Sequence, residues 1–227
     1  MTDCTAYSGE ENDMENNSSN SCYRAYLQSL FRLSKGDVIG LNYQFYNFTV
    51  ASRYIHVTDP CYPHDVINKG TRLGKDSCFG RFDIPAENGI WIARVTEKTF
   101  SHDEIGDATK LTEMVALHTV GGLNVAFHDR HHRQEFFNAV DSGQMGVFDS
   151  SLFPRHESRD VKRGFYKKCC MATSPKNRSG IIDGRGIVAS SGWGDGSYRT
   201  IVTYGPNNRA VGVRLLFGFP PKLEDLT

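Results

Sequence analysis

The sequence lacks most of the signals that would identify a protein at a glance. No run approaches the roughly 18 apolar residues of a membrane-spanning helix, and the first twenty residues, MTDCTAYSGEENDMENNSSN, lack the basic and apolar regions of a secretory leader. The expectation is a cytoplasmic protein with no membrane partner. Six cysteines, at 4, 22, 61, 78, 169 and 170, form no CxxC pair and no zinc-finger spacing. In a reducing compartment they read as small hydrophobes without disulfides. No GxGxxG follows a strand-like run, and there is no P-loop and no GxSxG elbow. Those absences leave no motif for dinucleotide, nucleotide-phosphate or serine-hydrolase chemistry. There is also no alternation of strand-like and helical runs and no internal repeat, which argues against a parallel doubly wound sheet.

What is present is a chain of 227 residues, 39% hydrophobic, long enough to bury one substantial core. Its net charge is zero but uneven. Residues 1–21 are acidic, Asn/Ser-rich and poor in aliphatics, so they are expected to be a disordered tail; residues 22–227 form a single domain. Leu27, Leu30, Phe31 and Leu33 predict a short amphipathic helix. From Asp37 onward, short β-like runs are broken by Gly, Asn, Asp and Pro, ending in SYRTIVTY and AVGVRLLF on either side of a good hairpin connection, Gly205 to Arg209. Residues 158–173 read as a second helix, with Val161, Phe165, Cys169 and Met171 on one side and Lys162, Arg163, Lys167 and Lys168 mainly elsewhere. The fold class is α+β: a mostly antiparallel sheet or barrel-like body with one or two packed helices.

Three interrupted stretches are the places to look for chemistry. In HVTDPCYPHD, residues 56–65, two prolines fix the backbone around Asp59, Cys61 and Tyr62. Either a pre-organised site results, or Asp59 caps backbone N–H groups in an Asx-type turn. In VDSGQMGVFD, residues 140–149, Ser142-Gly143 marks a strand bulge or a close approach, flanked by Asp141 and Gln144. In ASSGWGDGSY, residues 189–198, Ser190 and Ser191 precede three glycines at spacing two, then Asp195 and Tyr198. Asp195-Gly196 is by itself a hairpin signal, so the surplus glycines imply that backbone or ligand must come close. All three turns are expected to meet at one polar pocket. The histidines of HDRHH, 128–132, lack the Glu of a zinc-protease motif and read as solvated, so no metal site is assigned. Nine Lys/Arg against three acids over residues 155–185 make nucleic acid a conceivable partner, although a solvated helix face explains them better.

The blocks DPCY at 59–62, VDSGQMGVFD, FYKKCC at 165–170 and VASSGWGDGSY at 188–198 resemble, in order and spacing, a family of uncharacterised phage and bacterial proteins. The resemblance spans roughly residues 55–217 and implies a common fold and a phage or bacterial origin. It assigns no catalytic residue and no cofactor. Three functions follow as expectations. The first is a binding protein that sequesters a host protein or small ligand, in the manner of a counter-defence factor, using Asp59, Cys61, Tyr62, Asp141, Ser142, Gln144, Ser190, Ser191, Asp195 and Tyr198. The second is a hydrolase using Asp59, Asp141 and Asp195 with Cys61 or a histidine. The third is a structural or interaction component of a phage particle.

Overall fold

Alternation of apolar and polar residues carries most of the chain into strands. The computed structural model describes residues 41–62, 77–78, 80–100, 108–122, 132–152 and 159–218. The acidic tail, the helix expected near Leu27–Leu33, His128 and the run 123–128 lie outside the described residues. The strands are β1 (Leu41–Val50), β2 (Tyr54–Thr58), β3 (Ser77–Cys78), β4 (Gly80–Pro85), β5 (Gly89–Phe100), β6 (Ala108–His118), β7 (Arg133–Val140), β8 (Gln144–Asp149), β9 (Ser179–Ile182), β10 (Gly186–Ser190), β11 (Gly196–Tyr204) and β12 (Ala210–Leu216). Among the described residues one long helix, α1 (Arg159–Ala172), lies between β8 and β9.

The strands form two sheets. One has seven strands in the order β1-β5-β6-β12-β11-β7-β3, the other five in the order β4-β2-β8-β10-β9. Among the described residues every strand-to-strand ladder is antiparallel except the two-residue contact of β3 with β7, and an isolated parallel bridge joins Ala86 to Ala210. The barrel-like alternative is therefore corrected. Each sheet is open, with distinct edge strands, and closure is replaced by packing one sheet on the other. The inner faces meet in one core that includes Phe48, Val57, Trp91, Met114, Phe136, Val147, Tyr198 and Val213. Trp91, fully buried, still satisfies its indole N–H by donating to the Glu87 carbonyl at 3.0 Å. Burial of this kind, at about 25 cal/mol per Å² of apolar surface, is the main force holding the sheets together.

Strand β8 explains why alternation disappears in part of the five-stranded sheet. All six of its residues are buried. Met145 and Val147 enter the core between the sheets, while Phe148 turns outward into a second core with Phe165, Cys169, Ile182 and Val188. That second core is roofed by α1. Phe165 and Cys169, four residues apart, lie on one helical face, and the Phe165 ring meets Phe148 edge-on at 5.3 Å. Met171 does not join them. Two residues beyond Cys169 is about 200° around the helix, and Met171 is 64% exposed. Lys167 and Lys168 are exposed as the periodicity requires, and Lys168 pairs with Asp183 at 2.7 Å.

The turns show where local signals mislead. Asp183-Gly184 takes left-handed backbone at both residues, φ 48° and 67°, and joins β9 to β10 as a tight hairpin. The 205–209 connection joins β11 to β12, with Asn208 at φ 60° and the Gly205 N–H donating to the Arg209 carbonyl. Asp195-Gly196 makes no hairpin. It ends the connection from β10, in the five-stranded sheet, to β11, in the seven-stranded sheet. Likewise Ser142-Gly143 is no bulge within a strand but the crossing from β7 to β8, again from one sheet to the other.

Candidate functional site

The two sheet-to-sheet crossings lie against each other, and a third turn locks them. The Ser191 N–H donates to the Gly143 carbonyl at 2.8 Å, and the Gly143 N–H donates to Asp195 Oδ1 at 3.0 Å. Asp59 follows β2, which pairs with β8, and so reaches the same place. Its Oδ2 accepts from the N–H groups of Asp141 and Ser142, both at 2.8 Å. Its Oδ1 accepts the Cys61 N–H at 2.8 Å and the Ser142 hydroxyl at 2.6 Å. The structure thus brings the turns at 59–62, 141–144 and 190–196 together.

The three carboxylates do not share one open pocket, however. Asp59 is completely buried, with four donors on its two oxygens, so it neutralises its burial cost by hydrogen bonding instead of by a cation. It caps the turn as an Asx residue and braces the crossing behind it. Asp141 and Asp195 are exposed. No group of three or more His, Cys, Asp or Glu side chains among the described residues is arranged to hold a metal.

Behind the brace, beside α1, lies a half-sheltered cluster of thiol and phenol groups. Burial, and then the Asp59 carboxylate beside it, push the Cys61 thiol up to about 12. Burial, and then the neighbouring Asp141, likewise raise the pKa of Tyr62, itself 8% exposed. Helix α1 contributes two residues that the turn motifs do not reveal, Tyr166 and Cys170. Tyr166 is pushed up to about 12 by burial, and its hydroxyl meets Ser142 and Cys170. The Gln144 amide donates to Cys170 Sγ at 3.4 Å. The available signal was the i, i+4 spacing of Tyr166 and Cys170, which puts both on one helical face. At neutral pH a thiol held near 12 is protonated and a poor nucleophile.

In front of the brace the same loop borders an open groove of about 810 Å³ on the outer face of the seven-stranded sheet. Its walls include Phe137, Trp193, Asp195, Tyr198, Arg199 and Glu135. Phe137 is 44% exposed and Trp193 36%, large values for such rings. Lys110 Nζ sits 5.4 Å from the centre of the Trp193 ring, and Arg199 binds Glu135 at 2.6 Å across the groove floor. Tyr198 turns inward and donates its hydroxyl to the Gly194 carbonyl at 2.9 Å, which the Ser191 hydroxyl also reaches at 2.5 Å. Ser190 is the remaining predicted residue. Its N–H donates to the Arg178 carbonyl at 2.8 Å, so it fixes the root of the loop.

The surplus glycines now have separate causes. A Cβ on Gly192, at φ 76°, would stand 2.2 Å from the Leu111 carbonyl oxygen, so backbone packs directly on backbone there. Gly194, at φ 89°, has open space around it and is required by conformation alone. No protein-family model matches the chain, and no curated protein matches it significantly. The candidate site therefore stands on its own geometry.

Proposed function

We propose that the chain is a binding protein that holds a small ligand in the groove beside Trp193, and that it acts by sequestration. The observation that carries this reading is the pair of exposed rings, Trp193 and Phe137, around a groove whose rim loop is pinned from behind. Exposing large aromatic surface has a cost that a monomeric protein seldom bears without a use. Fixing the loop in advance lowers the ordering cost of binding. A ligand with a flat apolar part for Trp193 and Phe137, and a polar edge for Asp195 and the Arg199–Glu135 pair, suits the lining.

The arrangement supports this over hydrolysis. Asp59 has its lone pairs occupied, and the thiol of Cys61 is held in its protonated form. Neither is placed to act as base or nucleophile. The test is native mass spectrometry of the full chain purified without denaturation from a bacterial lysate. A small-molecule adduct should appear on the wild type and vanish in Trp193→Ser and Asp195→Asn. Asp195→Asn keeps Oδ1 for the Gly143 N–H, so its fold should be retained. Absence of any adduct, together with ligand-independent Trp193 fluorescence in a metabolite extract, would remove the small-ligand reading.

A further inference from the structure

Strand alternation points to a second binding site, on the β1–β5 side of the seven-stranded sheet. On β1, the side chains that face the other sheet run Asn42, Gln44, Tyr46, Phe48, Val50; on β5 they run Trp91, Ala93, Val95, Glu97, Thr99. The apolar members of both series belong to or pack on the core. Toward one end of the sandwich the same inward face turns wholly polar. Asn42 lies directly opposite Glu97 in the β1–β5 register, and Gln44 opposite Val95. Together with Thr109 of β6 and with Lys176 and Arg178 of the segment after α1, these residues enclose a cleft of about 530 Å³.

Three features distinguish this cleft from an ordinary wet edge. First, Glu97 is only 7% exposed, yet its carboxylate is held in place for use. Asn42 donates to Oε2 at 2.8 Å, Gln44 reaches Oε1 at 3.5 Å, and Arg178 stands 3.6 Å away. The β5–β6 register shifts between Thr96 and Glu97, an irregularity of the kind that re-aims a side chain. Second, Arg178 adopts left-handed backbone at φ 58°, an unfavourable state for a residue with a long side chain. It is kept there by its N–H on the Ser174 carbonyl and its own carbonyl on the Ser190 N–H, while its guanidinium donates to the Thr109 carbonyl. Third, Lys176 is exposed and has no ion-pair partner among the described residues.

We propose that this cleft binds a phosphorylated sugar or polyol. Lys176 and Arg178 at the rim supply the cationic donors for a phosphate. A fixed carboxylate flanked by amides and the Thr99 and Thr109 hydroxyls supplies paired acceptors and donors for neighbouring hydroxyl groups. The Thr99 and Thr109 hydroxyls are hydrogen-bonded to each other at 3.0 Å, which leaves one hydroxyl hydrogen and free lone pairs of the pair for a sugar hydroxyl.

Calorimetric titration of the full chain with glucose 6-phosphate, glucose and inorganic phosphate tests this directly. Glucose 6-phosphate is expected to bind at least about tenfold more tightly than either fragment. Lys176→Ala should weaken it by about tenfold without moving the melting temperature, since that side chain is exposed. Thr99→Val should weaken glucose 6-phosphate and leave inorganic phosphate unaffected. Trp193→Ser should change nothing here, which separates this site from the groove. Failure of all three probes at about 10 mM overturns the proposal. So does inorganic phosphate binding as tightly as the sugar phosphate, or binding that survives Lys176→Ala and Thr99→Val unchanged.

Discussion

Asp59 and Gly192 show how single residues shape the candidate site without lining its groove. One supplies a buried acceptor for three N–H groups and a hydroxyl; the other lets two stretches of backbone meet. The glycines allow a graded expectation. Gly194→Ala carries the penalty for left-handed backbone, about 1–2 kcal/mol, and has room for its methyl group. Gly192→Ala carries the same penalty and also drives a methyl group into the Leu111 carbonyl, so its loss should exceed that of Gly194→Ala by at least about 1–3 kcal/mol. Urea unfolding of the two variants measures the difference. Equal losses would mean that the loop lifts off β6 freely and that the close approach is unimportant. The residues of this junction were legible in the sequence because Gly, Pro, Asp and Ser at breaks in β-like runs have few structural uses. Their division of labour was not. The Asx-turn reading of Asp59 before Pro60 anticipates its capping role, but nothing local shows that its other oxygen seals the crossing at 141–142.

At the level of elements, strands and the main helix follow from alternation and helical period, and most breaks fall where Gly, Asn and Asp stand. What the sequence hides is which sheet a strand joins. Ser142-Gly143 reads as a bulge and Asp195-Gly196 as a hairpin because periodicity reports a strand's two faces, not its partners. Asp183-Gly184, with the same dipeptide, does make the hairpin. Charged and polar residues interrupt the first half of β7 and much of β4, so neither shows a clean apolar alternation. Helix α1 offers a test of its two-faced character through neighbouring thiols. Cys170 is exposed, whereas Cys169 is buried, and burial raises its thiol to about 12. Cys61 is raised similarly. Iodoacetamide at neutral pH should therefore modify Cys170 well before Cys169 or Cys61, as read by peptide mapping. Alkylation of Cys169 at the rate of Cys170 would mean that α1 opens from the five-stranded sheet on that timescale.

At the scale of the whole molecule, two of the sheet-to-sheet junctions are each fixed by a buried carboxylate. Asp149 does at the β1–β2 corner what Asp59 does at the glycine loop. It accepts the N–H groups of Ala51, Ser52 and Ser151, at 2.5, 2.9 and 2.8 Å, and the Ser151 hydroxyl. Burial alone would raise its pKa, but the hydrogen bonds from Ser151, Ser52 and Ala51 outweigh it and hold the group below the ordinary value of 3.8. A carboxylate depressed on folding contributes stability that is fully present above its unfolded pKa and fades as pH falls through the folded one. Wild-type urea midpoints should thus decline below about pH 4. Asp149→Asn should be less stable at pH 7 and show a shallower acid decline. An unchanged acid slope in that variant would move the effect to other carboxylates.

The position of β12 has a consequence for how the chain is made. It is the last described strand in the sequence, yet it lies between β6 and β11 in the middle of the seven-stranded sheet. A growing polypeptide can zip β1, β5 and β6 together early, since they are consecutive neighbours apart from the β2–β4 excursion. The exposed edge of β6 must then wait for Ala210–Leu216, whose partners stand nearly one hundred positions upstream. At a synthesis rate of roughly 5–20 residues per second that interval lasts on the order of 5–20 seconds. Throughout it, the β6 backbone and the apolar face around Met114 and Ala116 lack their cover. The nascent chain is thus most vulnerable to aggregation, and most in need of a chaperone, just before translation completes this strand.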